Sequence, residues 1–156
     1  MSLFVLSFGS NIGDCRLNIK KCYRILEEKL NTCLTVSSFY ITKPWGNIHQ
    51  NDFINSAGFG VTVKNATEIL EIILETEREL GRIRTEKWGP RILDIDLLFV
   101  DNEIINNDWI TIPHPFLHER NFVLEPLKEI LPNYIHPVLK KDINTLFLEL
   151  NRAKSD

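Results

Sequence analysis

The chain has 156 residues, 44% hydrophobic and 25% charged, the balance of one soluble domain large enough for a single core. That apolar share and nine phenylalanines exclude a disordered chain, and no apolar run approaches the roughly 20 residues that span a bilayer. A net charge of −3 excludes a general pull toward nucleic acid or anionic membrane.

The opening run, residues 3–8, is apolar, lacks a basic leader and ends at Gly9-Ser10-Asn11, so it reads as a first strand and not a signal peptide. From Asp14 to Leu30 the apolar residues Cys15, Ile19, Cys22, Leu26 and Leu30 recur at helical spacing, with Asp14 placed to cap. Two of the three cysteines on that stripe read as buried, reduced thiols of a cytoplasmic protein. Residues 33–41 are β-branched and aromatic and predict a second strand. Thr42 to Asp52 reads as loop, and residues 53–63 as a third strand. Asn65 and Glu68 form a capping pair for a helix that runs through Ile69, Leu70, Ile73 and Leu80 to a stop at Gly81. A polar loop over 82–92 leads to a fourth strand at 93–100. The tail carries prolines at 113, 115, 126, 132 and 137 and helical patches near 118–130 and 142–151.

The order β-α-β-β-α-β predicts an α+β, ferredoxin-like fold, an antiparallel sheet with helices on one face, followed by a C-terminal helical and irregular extension. No linker or repeat breaks the chain, so residues 1–156 read as one domain. Such a plan hosts many activities, and function has to come from the residues it presents.

Two features concentrate chemistry. In the fourth strand, alternation puts Leu93, Ile95, Leu97 and Phe99 on one face and Asp94 and Asp96 on the other, with Cα atoms roughly 7 Å apart. Paired carboxylates at that spacing can hold hard cations such as magnesium. By itself an Asp-x-Asp pair is more often a solvated strand face. Here it follows Arg82, Arg84, Lys87 and Arg91, four cations against the single Glu86 in ten residues. Guanidinium forks suit phosphate oxygens. Each arginine alone could equally be a surface ion pair of little worth. Together they point to a small anionic ligand, and no Gly-rich phosphate loop competes for that role.

The run Trp88-Gly89-Pro90-Arg91-Ile92-Leu93-Asp94-Ile95-Asp96-Leu97-Leu98 resembles the signature of the 6-hydroxymethyl-7,8-dihydropterin pyrophosphokinase family of folate biosynthesis. The likeness extends over nearly the whole chain, through Gly9-Ser10-Asn11, Ser37-Ser38-Phe39-Tyr40, Asp52-Phe53-Ile54-Asn55, Gly81-Arg82-Ile83-Arg84 and Ile112-Pro113-His114. It implies a cytoplasmic, monomeric enzyme that moves the β,γ-pyrophosphoryl group of ATP to the pterin hydroxymethyl oxygen and leaves AMP. ATP and the pterin would be its partners, with neither nucleic acid nor membrane. By the same resemblance Asp94 and Asp96 hold two Mg2+ ions, and Arg82 and Arg91 lie at the phosphates. Arg84 and Trp88 belong to a loop that closes over the substrates. Thr111, His114 and Arg120 serve ATP. The pterin falls to the rings of Phe53 and Phe122, the amide of Asn55, and groups near Thr42 and Trp45.

Several positions depart from the family pattern: Phe53 stands for a tyrosine, Pro115 for an aromatic and Trp109 for a basic residue, while Lys43 and Trp45 alter the loop before Asn47. Glu77 falls on the apolar stripe of the second helix and needs a partner there, either as support for the site or in a helix-end ion pair. The chain ends near the family's single-domain length, so no fused folate enzyme is expected. Zinc is not expected, because the cysteines and histidines lack ligand spacing. A ferredoxin-like RNA-binding module would need a basic surface and a basic-Gly-aromatic strand motif, and the chain has neither. A degenerate member retained for ATP binding would keep this fold too, and intact Asp94, Asp96, Arg82, Arg91 and His114 argue against it.

Overall fold

A computed structural model describes residues 1–43, 51–81 and 92–155. At its centre lies strand β1, Ser2–Ser10, whose Phe4, Leu6 and Phe8 point into one core while Val5 points into another. Helix α1, Cys15–Leu30, starts where the Asp14 carboxylate accepts from the amide of Leu17 and ends at Asn31 in the left-handed region. Its buried stripe is Ile19, Cys22, Leu26 and Leu30. Only Cys22 is a buried thiol, held far above its ordinary pKa by burial and then by the charge of Glu77. Cys15 is half-buried, against the expectation that both cysteines of the stripe are buried, and Cys33 is exposed.

The predicted second strand is two short ones, β2 (Thr35–Val36) and β3 (Tyr40–Thr42). Both pair with β4, Phe53–Thr62. The break has a local cause: the hydroxyl of Ser37 accepts from the amide of Ala57, and the amide of Ser38 turns to the carboxylate of Glu129. Helix α2, Ala66–Glu79, has the expected capping box between Asn65 and Glu68 and stops before Gly81, which adopts a φ of 83°. Strand β5, Asp94–Val100, completes a sheet of order β2-β4-β1-β5, antiparallel throughout, with β3 also on β4. This is the expected α+β arrangement.

Two corrections follow from the rest of the chain. Register slips by one residue within β5, since Val5 opposes Phe99 and Leu6 opposes Leu97, leaving Leu98 as a bulge. Leu93, Ile95 and Leu97 therefore face α1 and α2 as expected, but Phe99 turns to the opposite core with Leu98. The second concerns the extension: α1 and α2 share one face as expected, and the C-terminal helices cover the other. After the hairpin β6 (Ile105–Asn106) and β7 (Thr111–Ile112) and a short 3-10 turn at Leu117–Glu119 come α3, Asn121–Ile130, and α4, Ile143–Ser155. Val123, Leu124, Leu127, Ile143 and Leu146 bury Val5, Ala57 and Phe99. Burying such aliphatic and aromatic groups stabilises by about 1.5–3 kcal/mol each, which is why the C-terminal segment folds against the sheet and does not trail from it. The packed cluster on that face does not include Gly9, Asn55, Asp94 or Asp96. No helix among the described residues is long and apolar enough to cross a membrane.

Candidate active site

Antiparallel register lines up the chemistry. Tyr40 of β3 opposes Asn55 of β4, Asn55 opposes Gly9 of β1, and Gly9 opposes Asp94 of β5. Cross-strand partners share a face, so these four side-chain positions form one row on the α3 side of the sheet. The next row holds Ala57, Ser7 and Asp96, and Thr42 opposes Phe53 on the other flank. With strands about 4.8 Å apart, Asn55 and Asp94 stand roughly 10 Å from each other across a residue with no side chain. A Cβ on Gly9 would come within 3.3 Å of Asn55 Oδ1 and 4.0 Å of the Phe53 ring. Gly9 is thus the floor between an amide and a carboxylate, a role that its reading as a turn signal did not disclose.

Asn55 is 4% exposed, and its Nδ2 donates to Thr42 Oγ1 at 2.7 Å. Phe53 flanks it on the sheet. Phe122 rises from the first turn of α3 on the same side, packed against the second core. The guanidinium of Arg120 lies over the Phe122 ring at 5.7 Å and over Phe116 at 5.5 Å.

Asp94 and Asp96 are half-buried beside the small residues Gly9 and Ser7. The amide of Ile95 between them donates to Glu77 Oε2 at 2.9 Å. That carboxylate is 3% exposed on α2 and acts on the backbone of β5. Among the described residues no three His, Cys, Asp or Glu side chains cluster as a metal cage. Two hard carboxylates still fit magnesium, which takes its remaining ligands from water and phosphate.

His114 does not sit in a simply extended segment. The Ile112–Pro113 bond is cis, and His114 opens the turn into Leu117. Its amide donates to the carbonyl of the bulged Leu98 at 3.0 Å, which anchors it beside the carboxylates. Nδ1 accepts from the amide of Phe116 at 3.3 Å, leaving the proton on Nε2, 4.0 Å from Asp96 Oδ1. Burial, followed by the charge of Arg120, lowers its pKa to about 4, with Asp94 pulling the other way. Nε2–H thus faces Asp96 from beyond hydrogen-bond distance, and at neutral pH the imidazole of the ligand-free protein is neutral.

Thr111 sits on β7, exposed, its hydroxyl 3.5 Å from Asn106 Oδ1, and Trp109 on the same hairpin is 85% exposed. Arg82, Arg84, Trp88 and Arg91, and Trp45 of the pterin set, lie outside the described residues.

Comparison with known proteins identifies the family. The sequence model of the family described as 7,8-dihydro-6-hydroxymethylpterin-pyrophosphokinase (HPPK) matches residues 5–132. A 2-amino-4-hydroxy-6-hydroxymethyldihydropteridine pyrophosphokinase of Aquifex aeolicus is 40% identical over 92% of this chain and 89% of its own. The protein of that name from Haemophilus influenzae is 37% identical over 85% of this chain and 83% of its own. Among solved structures, a Plasmodium falciparum HPPK-DHPS triple mutant with pterin and p-hydrobenzoate superposes with a TM-score of 0.77 at 17% identity. This chain covers 43% of that one, so the likeness concerns the fold of one part of it. The chain belongs to the hydroxymethyldihydropterin pyrophosphokinase family, the ATP-using enzymes of folate synthesis.

Proposed function

We propose that this pyrophosphokinase binds both substrates on the open part of the α3 side of the sheet and transfers the pyrophosphoryl group directly, without a covalent enzyme intermediate. The pterin hydroxymethyl oxygen attacks the β-phosphorus of ATP, the bond from that phosphorus to the α,β-bridging oxygen breaks, and AMP leaves. The hydroxyl proton is released. Phe53 and Phe122 hold the flat pterin bicycle, and Asn55, fixed by Thr42, reads its edge, with groups at Trp45 completing that edge.

Asp94 and Asp96 would hold two Mg2+ ions. Magnesium bound there supplies positive charge to the triphosphate and acidifies the pterin hydroxyl. His114 offers Nε2–H to a phosphate oxygen. Arg120 adds a fixed positive charge, and Thr111 is assigned to the nucleoside end. Arg82, Arg84 and Arg91 are assigned to the phosphates as guanidinium forks and Trp88 to water exclusion over the bound substrates, on the strength of the family motif. The family resemblance carries with it a monomeric, single-domain enzyme acting in the cytoplasm.

The observation that carries the reading is the cross-strand row in which Asn55 and Asp94 flank Gly9, so that the pterin reader and the carboxylate pair share one floor. Incubation with ATP, magnesium and 6-hydroxymethyl-7,8-dihydropterin should yield AMP only when the pterin is present, with pyrophosphorylated pterin in equal amount. ADP as the nucleotide product would overturn the assignment of the attacked phosphorus.

A further inference from the structure

Between β2 and β3 the chain leaves the sheet ladder at Ser38, and its backbone needs partners there. They come from Glu129, in the last turn of α3. Its two carboxylate oxygens accept from the Ser38 amide at 3.0 and 3.1 Å, from Ser38 Oγ at 3.3 Å and from the Tyr40 hydroxyl at 2.6 Å. One side chain therefore joins residues 38–40 to the helix whose first turn bears Phe122. Tyr40 is the cross-strand partner of Asn55, and Thr42, two residues on and on the same face, receives the Asn55 amide. β3 is only three residues long and, among the described residues, pairs on one side alone, so its own ladder gives it little rigidity.

We infer that Glu129 is a positioning residue for the pterin pocket, acting through Tyr40 and Ser38 to hold Thr42 and Asn55 at a fixed distance from Phe122. The inference rests on the assignment of Asn55, Thr42 and Phe122 to the pterin. Glu129 touches neither substrate. It closes the triangle of β3, β4 and α3 on which two walls of the pocket stand. The phosphate-side groups Asp94, Asp96 and His114 hang from β5 and the segment after β7, outside that triangle, so the effect should fall on one substrate.

The test measures equilibrium binding of 6-hydroxymethyl-7,8-dihydropterin and of Mg-ATP separately, with thermal melting, for the wild type, Glu129→Ala, Glu129→Gln and Tyr40→Phe. Loss of these charge-assisted bonds predicts that Glu129→Ala weakens pterin binding about 5- to 30-fold while ATP binding changes by less than about 2-fold. Glu129→Gln, which keeps one acceptor oxygen, should recover most of the loss, and Tyr40→Phe should show part of it. Those two variants carry the test if the alanine variant fails to fold. Equal losses for both substrates, or a lowered melting temperature with pterin binding unchanged, would overturn the inference. A wild type that binds ATP but not the pterin would overturn the pocket assignment and this inference together; a wild type that binds both, with variants indistinguishable from it, would sink this one alone.

Discussion

Replacing Gly9 with alanine adds one methyl group at the point where the site has no side chain. In the interior of a strand that change should by itself stabilise the fold by about 0.5–1 kcal/mol, because glycine loses more backbone freedom on folding. The new Cβ would stand 3.3 Å from Asn55 Oδ1, a little inside ordinary contact, and 4.0 Å from the Phe53 ring, which is comfortable. Asn55 must therefore give way by a few tenths of an ångström. It is nearly fully buried and tied to Thr42 at 2.7 Å, so the movement stretches or tilts that bond and shifts the amide edge offered to a ligand. Weakening one or two hydrogen bonds and narrowing the floor should cost about 1–2 kcal/mol of pterin binding, about 5- to 30-fold in Kd. ATP binding should change by less than about 2-fold, and the melting temperature should hold or rise by up to about 2–4 °C. Titration of each substrate and a thermal melt on the same preparation decide the matter. Unchanged pterin affinity would refute the floor between Asn55 and Asp94, and a melting temperature lowered by several degrees would show that the methyl clashes with the sheet instead.

Asp94→Ala and Asp96→Ala should each abolish AMP formation while the melting temperature stays within about 2–4 °C of wild type, since both carboxylates are only half-buried, beside Gly9 and Ser7; unfolding of either variant would make the pair structural. Glu77→Ala leaves the Ile95 amide without its buried acceptor and should cost about 1–3 kcal/mol in urea denaturation, whereas Glu77→Gln, which keeps an oxygen, should cost clearly less; equal costs would refute the backbone role. Stability should also depend on His136, which is 5% exposed and whose Nδ1 accepts from the amides of Val138 and Leu139. Burial, and then the neighbouring His118, lower its pKa to about 4. The unfolded chain then binds a proton that the native one refuses between the ordinary imidazole value and about 4, so its contribution is complete above that window and is lost as pH falls through it. Urea midpoints at several pH values should show a steeper acid loss for wild type than for His136→Asn, and parallel profiles would exclude the effect.

Most of the local architecture is legible in the residues. The Asn65–Glu68 box, the helical stripes and the shared face of Asp94 and Asp96 depend only on near neighbours, and the structure has all three. What escapes depends on distant partners. Ser37 to Phe39 looks like uninterrupted strand because nothing nearby announces that Glu129, more than ninety positions later, takes the Ser38 amide. Phe99 fits the alternation of its strand on paper, and only pairing with β1 reveals the slip at Leu98. The proline-rich tail discloses its two helices, expected near 118–130 and 142–151, but hides the hairpin and the docking of those helices, because the aliphatic groups that fold it answer to the face of a sheet built from the other end of the chain. At the site, Asn55 and Asp94 can be nominated from the motif, but their closeness across Gly9 is a matter of strand order.

The bulge at Leu98 bears on how this sequence can vary. Ahead of it, β5 offers its outward face to carboxylates; behind it, the same face is given over to Leu98 and Phe99 in a dry core. Two consecutive bulky side chains can enter that core only because one residue lies outside the pairing count. A single deletion between Asp96 and Phe99 would restore strict alternation with Phe99 and Val100 on the faces they already hold, and would take one bulky side chain out of the core that Leu98 and Phe99 now share. The distance in sequence from the second aspartate to the end of the strand is therefore fixed by packing on the far half of the sheet. Insertions and deletions should be confined to the loops on either side, even where the strand looks interchangeable with any other hydrophobic run.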